Sequence, residues 1–293
     1  QAIGRPVCDL LGGKIRDRIP LAAYLFYRRP NERNEGGISD SKDMSSYAAE
    51  VIATYGFKTL KLKAGVLDPD EELRTITQLR EKFPKAKLRV DPNGAWSIGT
   101  TLHFANQTRD LNLEYLEDPV WGLRGMARVN SQCPWLPLAS NMSVATPDDF
   151  SSAIALAAVD VILVDPHFYG GLRQARYAAT TLELFQVDLS MHSQGEFGIS
   201  MAAQLHLASV MPGLTYAADA HYHHLTDDII SGGLINCEEG EMRVPSGPGL
   251  GVTLDRDKLK EFSALAGNYR SALQTSITGD PMELQHIPVL PRW

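Results

Sequence analysis

The chain has 293 residues, 44% of them hydrophobic, with 28 basic and 35 acidic side chains and a net charge of −7. That length suits one large α/β barrel of about 250 residues or two smaller domains, and no apolar run approaches the roughly 20 residues of a membrane span. An acidic balance without a basic block speaks against nucleic acid as a partner, and the start shows no signal-peptide pattern. Cys8, Cys133 and Cys237 stand far apart without CxxC spacing, which argues against a disulfide framework or a zinc site and fits a reducing cytoplasm.

In chain order, strands alternate with helices, the pattern of an α/β fold. Arg18 to Tyr27 reads as the first strand, followed by a polar loop from Arg28 to Asp43 and a helix near Met44 to Tyr55. Then come the strand Thr59 to Lys63, the helix Pro69 to Phe83 with acidic residues in its first turn, and the strand Leu88 to Asp91. The helix Ile98 to Asp110 leads to two strands, Leu113 to Glu117 and Pro137 to Ser140. After a helix over Pro147 to Ala158 follow the strand Val161 to Val164, the helix Gly171 to Phe185, the strand Val187 to Met191 and the helix Ile199 to Val210. Tyr216 to Ala220 is the eighth strand. The expected fold is a modified TIM barrel of (β/α)7β type spanning 19–224. A connector, 1–18, precedes it, and a C-terminal extension, 225–293, with a helix near Leu254 to Ala266, packs near the barrel mouth or above it.

Six polar stations close the strands at steps of about 24 to 30 residues, one strand plus one helix each: Lys61-Leu-Lys63, Asp91-Pro-Asn93, Glu117-Asp-Pro, Ser140-Asn141, Asp165-Pro-His167 and His192-Ser193. In a barrel such stations gather at the C-terminal face. Lys61 and Lys63, two apart on a strand, share a face; repulsion and partial burial there would lower at least one lysine pKa toward that of a general base. A solvated edge strand, with Lys58 as a third charge, accounts for the same residues. Asp91, Glu117 and Asn141 form an all-oxygen set suited to Mg²⁺, although each one also fits a turn or cap. Asp165 and His192 end neighbouring strands about 4.8 Å apart, so the carboxylate can orient the imidazole. His221, His223 and His224 lack acidic or cysteine partners for a second metal and read as a polar loop, with His221 a candidate substrate contact beside Asp219. No GxGxxG, Walker or GxSxG motif supports nucleotide binding or serine hydrolysis.

The set KLKAG, VDPNGAW, YLEDP, ASNM, VDPHFYGG and MHS, with the late PGLGV, resembles the enolase superfamily from about Arg5 to Gly251. Asn141 narrows the resemblance to the glucarate dehydratase group, because the mandelate racemase and muconate cycloisomerase groups usually place a carboxylate there. The resemblance implies Mg²⁺ on Asp91, Glu117 and Asn141, and Lys63 as base with Lys61 near the substrate carboxylate. It implies His192, paired with Asp165, as acid/base on the opposite face. Tyr24, Asn93, His167, Ser193, Asp219 and His221 would contact substrate or support the site, and Arg270 would bind a distal carboxylate. Gln194 departs from the group, which tends to carry Asn. Family members also carry an α+β capping domain of about a hundred residues before the barrel; this sequence begins where that domain would end, so 1–18 reads as its remnant and the lid as absent.

The implied activity is Mg²⁺-dependent dehydration of D-glucarate or a related aldarate to a 2-keto-3-deoxy acid sugar, with a dicarboxylate acid sugar as partner and a homo-oligomer as an open expectation. Two alternatives stand beside it: an aldarate epimerase or racemase using the same two bases, and a catalytically silent metal-binding relative.

Overall fold

The computed structural model describes residues 1–30 and 36–265. A short helix α1 (Val7–Leu10) precedes the strand β1 (Arg18–Phe26). Seven helices then alternate with seven further strands: α2 (Ser41–Tyr55), β2 (Thr59–Lys63), α3 (Pro69–Lys82), β3 (Lys87–Asp91), α4 (Ile98–Gln107), β4 (Tyr115–Glu117), α5 (Leu123–Gln132), β5 (Leu138–Ser140), α6 (Phe150–Ala155), β6 (Val161–Val164), α7 (Leu172–Leu184), β7 (Asp188–Met191), α8 (Gly198–Ala208) and β8 (Ala218–Ala220). This is the (β/α)7β arrangement expected from the sequence. Strands β1 to β7 pair in parallel in chain order. The circle closes where β8 pairs β1 and where a Leu189↔Leu214 bridge ties β7 to the segment entering β8. No helix among the described residues is long and apolar enough to cross a membrane.

Local chemistry explains the element boundaries. Asp40, Asp68 and Ser97 accept backbone N–H groups that open α2, α3 and α4, Pro69 fills the first turn of α3, and Arg80 and Lys82 close that helix on its electronegative end. The run Val161-Ile-Leu-Val164 is buried throughout, as a parallel strand covered on both faces must be. Alternate residues serve two cores. Leu60, Leu62, Leu88, Val90, Leu116 and Leu138 face the helices in the main cluster, whereas Tyr115, Ala139, Val161 and Leu163, with Tyr216 against them, fill the barrel interior. Each fully buried leucine or valine among them contributes on the order of 1.5–3 kcal/mol.

Three helices differ from the sequence expectation. Helix α5 lay in a stretch that the pattern left unassigned: Gly122 caps it without a side-chain acceptor, and only Met126 and Val129 are buried. The expected helices Ile98 to Asp110 and Pro147 to Ala158 are each part 3₁₀, at Arg109–Leu111 and Pro147–Asp149.

The tail does not simply sit over the mouth. Near the mouth, Asp228 accepts the Gly198 N–H opening α8 at 3.0 Å. Beyond it, however, β9 (Cys237–Glu238) and β10 (Glu241–Arg243) form a hairpin that pairs antiparallel with Arg18–Pro20, at the opposite end of the barrel. The starting residues of the long β1 overhang its barrel neighbours, and the hairpin covers that free edge. Its turn rests on Gly56, which ends α2 at φ +73°; a Cβ there would lie 2.8 Å from the Glu239 Cα. The helix expected near Leu254 to Ala266 is observed over 256–265, and Arg270 lies outside the described residues.

Candidate active site

Strand alternation, which sends the leucines outward, turns Lys61 and Lys63 of β2, Arg89 and Asp91 of β3, and Glu117 of β4 inward. Closure at β1–β8 adds Tyr24 and Asp219 from the other side. The result is a wall of charge in the barrel interior. Lys61 Nζ lies 2.6 Å from Asp219, 2.5 Å from Glu117 and 3.2 Å from Asp91, all fully buried. Tyr24 donates its hydroxyl to Asp219 at 2.7 Å and lies under both ammonium groups, 4.8 and 5.3 Å from its ring centre. Lys63, 14% exposed, reaches Asp91 at 2.5 Å and stands nearer the mouth.

For Lys61 these contacts run opposite to the lowering expected of at least one of the two lysines. Burial works against the Lys61 ammonium, but Asp219, Glu117 and Asp91 outweigh it and hold its pKa well above the ordinary lysine range. Lys61 is therefore a fixed cation and not a lysine tuned toward neutrality. Burial opposes the ionised form of Asp91 as well, yet Lys63 and Lys61 together bring its pKa down to about 2. Asp219 is likewise lowered, with Lys61 and Arg89 offsetting its burial.

Asp91, Glu117 and Asn141 come from consecutive strand ends, and the unmet acceptors of the last two fit a hard cation. Glu117 Oε1 and Asn141 Oδ1 are buried acceptors without a hydrogen-bond partner. Burial, together with Asp91 and Asp219, pushes the Glu117 carboxyl well up, a cost that a divalent cation would relieve. Among the described residues, no group of three His, Cys, Asp or Glu side chains could hold a metal; here the third donor is an amide oxygen. Asp118, next to Glu117, is not available as a ligand. It accepts the Ser140 hydroxyl at 2.6 Å and the N–H groups of Asn141 and Met142 at 2.8 and 2.9 Å, which fixes the backbone that presents Asn141. Asn93 turns at φ +52° with its N–H on Asp91 and its amide on the Met142 sulfur.

A second wall rises from β6, β7 and β8. Asp165 Oδ2 accepts the His192 Nδ1–H at 2.8 Å, and Oδ1 accepts the His167 Nδ1–H at 2.7 Å and its backbone N–H at 2.8 Å. Burial raises the Asp165 pKa, but these donors outweigh it and the group is net lowered. An ionised Asp165 can only accept, so His192 keeps its proton on Nδ1 and leaves Nε2 for chemistry. His167 Nε2 meets the Ser200 hydroxyl at 2.7 Å. Ser193 Oγ lies 2.8 Å from His221 Nδ1, and the His221 ring stands edge-on to Tyr24 at 4.3 Å, where the two walls touch. Gln194 is exposed, its N–H held by Glu196 at 2.5 Å.

Sequence reasoning missed the residues that hold these walls in place. Arg89, fully buried, bonds Glu114 at 2.6 Å and Asp219 at 3.3 Å, and stacks over Tyr115 at 4.5 Å. Glu72 accepts the N–H groups of Gly65, Val66 and Leu67 at 2.9 to 3.0 Å, securing the loop that follows Lys63, while burial pushes its carboxyl up to about 7. A charged residue one step inside a polar station, as Arg89 is before Asp91, was the available signal for Arg89. Glu72 and Glu196 read as ordinary surface acids.

Residues 43–258 match the family described as Enolase C-terminal domain-like. The chain belongs to the enolase superfamily. A probable glucarate dehydratase of Streptomyces coelicolor is 42% identical over 268 residues, covering 88% of this chain and 61% of that protein. An enolase of Mycobacterium smegmatis, crystallised with tartrate, superposes with a TM-score of 0.89 at 40% identity, covering 100% of this chain and 71% of that one. One from Thermobispora bispora, crystallised with magnesium and formate, gives 0.84 at 43% identity over 88% of this chain and 63% of that one. The chain thus spans about three fifths to seven tenths of the length of these enolase-superfamily relatives.

Proposed function

We propose that this barrel carries out the dehydration of a dicarboxylate acid sugar, D-glucarate or a close aldarate, to a 2-keto-3-deoxy acid. The observation that carries this reading is the pairing of His192 with an ionised Asp165 at 2.8 Å on the wall opposite Lys63. Elimination of a β-hydroxyl needs a base for the α-proton and an acid for the departing oxygen, and this pairing equips His192 to serve as that acid. The 42% identical probable glucarate dehydratase and the tartrate-bound relative, whose ligand is a dihydroxy dicarboxylate, support the substrate class.

Asp91, Glu117 and Asn141 would hold Mg²⁺, which supplies Lewis-acid polarisation of the substrate carboxylate. Lys61, a permanent buried cation, attracts that carboxylate and stabilises the charge developing on it. Lys63 takes the proton α to the carboxylate. His192, protonated at Nε2 and steadied by Asp165, gives a proton to the departing β-hydroxyl. The released enol tautomerises to the keto acid.

Incubation of the purified chain with Mg²⁺ and a panel of acid sugars, followed by assay for 2-keto acids and by proton NMR in D₂O, tests the reading. Keto product from an aldarate is the expected result. Exchange at the α-carbon without keto product would replace dehydration with the epimerase reading, in which Lys63 and His192 act as paired bases.

A further inference from the structure

The histidine wall ends in a buried carboxylate that the proposed chemistry does not use. Glu196, 3% exposed, lies in the loop between β7 and α8. Its Oε1 accepts the Gln194 N–H at 2.5 Å and the Gln204 side-chain amide at 2.8 Å. Its Oε2 accepts the Ser193 hydroxyl at 2.5 Å. The same Ser193 Oγ lies 3.1 Å from the His221 backbone N–H and 2.8 Å from His221 Nδ1.

A count of protons decides the direction of this chain. A serine hydroxyl has one proton to give and two lone pairs to offer. The carboxylate can only accept, so the hydroxyl proton goes to Glu196. One lone pair takes the His221 backbone N–H. The remaining contact, to Nδ1, is then a bond that the imidazole must donate. We infer that Glu196 is a positioning residue that, through Ser193, holds His221 with its proton on Nδ1 and presents Nε2 as an acceptor for a hydroxyl of the substrate.

Among the described residues Nε2 makes no hydrogen bond. Burial, aided by the charge of nearby Lys63, pushes His221 down to about 3, so the ring is neutral and Nε2 carries a lone pair. An acceptor at this place rejects a carboxylate oxygen and selects an O–H. Within the acid-sugar reading, on which this inference rests, the β8 side of the mouth therefore reads a chain hydroxyl and not the distal carboxylate. Ser193 has its full hydrogen-bonding capacity engaged and supports the site without contacting substrate.

Glu196→Gln gives a sharp test because the surroundings dictate how glutamine must sit. The two donors from Gln194 and Gln204 require the amide oxygen at the Oε1 place, which turns the amide NH₂ toward Ser193. Ser193 must then accept from that group and donate to His221 Nδ1, moving the imidazole proton to Nε2. Ring ¹⁵N chemical shifts of the full chain labelled at histidine, with His221 assigned from a His221→Gln spectrum, read the tautomer without reference to activity.

We expect neutral His221 protonated at Nδ1 in the wild type and at Nε2 in Glu196→Gln. Glu196→Gln should also lose about 10–100-fold in kcat/KM on a hydroxylated aldarate, mainly through KM, as a mispaired hydrogen bond does. A wild-type ring protonated at Nε2, or the same tautomer in both proteins, overturns the inference. Should Glu196→Gln not fold, the wild-type spectrum beside that of Ser193→Ala decides it: loss of the Nδ1-protonated signature in Ser193→Ala supports the relay, and its retention defeats it. A correct tautomer switch in a protein that turns over no aldarate would defeat the dehydratase reading and leave the relay standing.

Discussion

The two walls of the barrel mouth solve the same problem with different physics. On the β2–β4 side, Lys61 is surrounded by Asp91, Glu117 and Asp219, with Arg89 behind them, and charges hold one another in place. On the β6–β8 side, Asp165, His167, His192, Ser193, Glu196 and His221 form hydrogen-bonded chains in which the position of each proton matters more than the net charge. Ionic contacts in a dry interior are strong but tolerant of direction, which suits a surface that attracts an anion and holds a metal. Chains of donors and acceptors are weaker and strictly directional, which suits a surface that moves protons and sorts hydroxyls. The difference predicts that breaking the first wall costs fold stability as well as turnover, whereas breaking the second costs turnover alone.

The largest expected effect comes from the ionic wall. Lys61→Met takes a shared cation from three buried carboxylates and leaves Glu117 without a partner, and should cost about 3–5 kcal/mol of stability, measured by urea unfolding at neutral pH without added metal. A loss below about 1 kcal/mol would mean that the carboxylates relax by taking up protons, and the contrast between the walls would weaken.

The histidine wall should respond the other way. His192→Asn removes a proton donor at the mouth and is expected to lower kcat on an aldarate by about 10²–10⁴-fold, while unfolding free energy stays within about 1 kcal/mol of wild type. Steady-state kinetics and the same urea titration check both halves. A stability loss as large as that of Lys61→Met would show that the two walls are alike.

The smallest effect separates the walls by pH. His221 and His223 are both pushed down to about 3, chiefly by burial, so they stay neutral in the fold and charge on unfolding below about pH 6.5. Between pH 6.5 and 3 the unfolded chain binds more protons, so stability falls as pH falls through that window. Asp91, held at about 2, gives its full contribution above the ordinary carboxylate value of 3.8 and loses it only as pH falls from there to about 2, below most of the histidine window. Melting temperature should therefore decline from about pH 6.5 downward, and His223→Asn, which lies outside the proposed chemistry, should flatten that decline. An unchanged slope in His223→Asn would remove His223 as its source.

Much of this was legible in the chain itself. Strand runs such as Thr59 to Lys63 and Val161 to Val164, the acidic first turn of the helix that begins at Pro69, and the even spacing of polar strand ends are local signals. They state which residues point inward at one end of a barrel. Helix α5 escaped because its cap is a glycine and its buried face is only two side chains wide. The β9–β10 hairpin escaped because it owes its place to the overhang of β1, more than two hundred residues away in sequence.

The sequence by itself therefore determined the barrel and the roster of inward polar residues, since alternation along a strand is a property of neighbours. Only the tertiary structure decided what those residues do to one another. Arg89 meets Asp219 across 130 positions, Lys61 meets Asp219 across 158, and Ser193 meets His221 across 28. Charge state and proton position depend on burial and on partners brought together when β8 closes against β1, and no stretch of sequence contains both ends of those bonds.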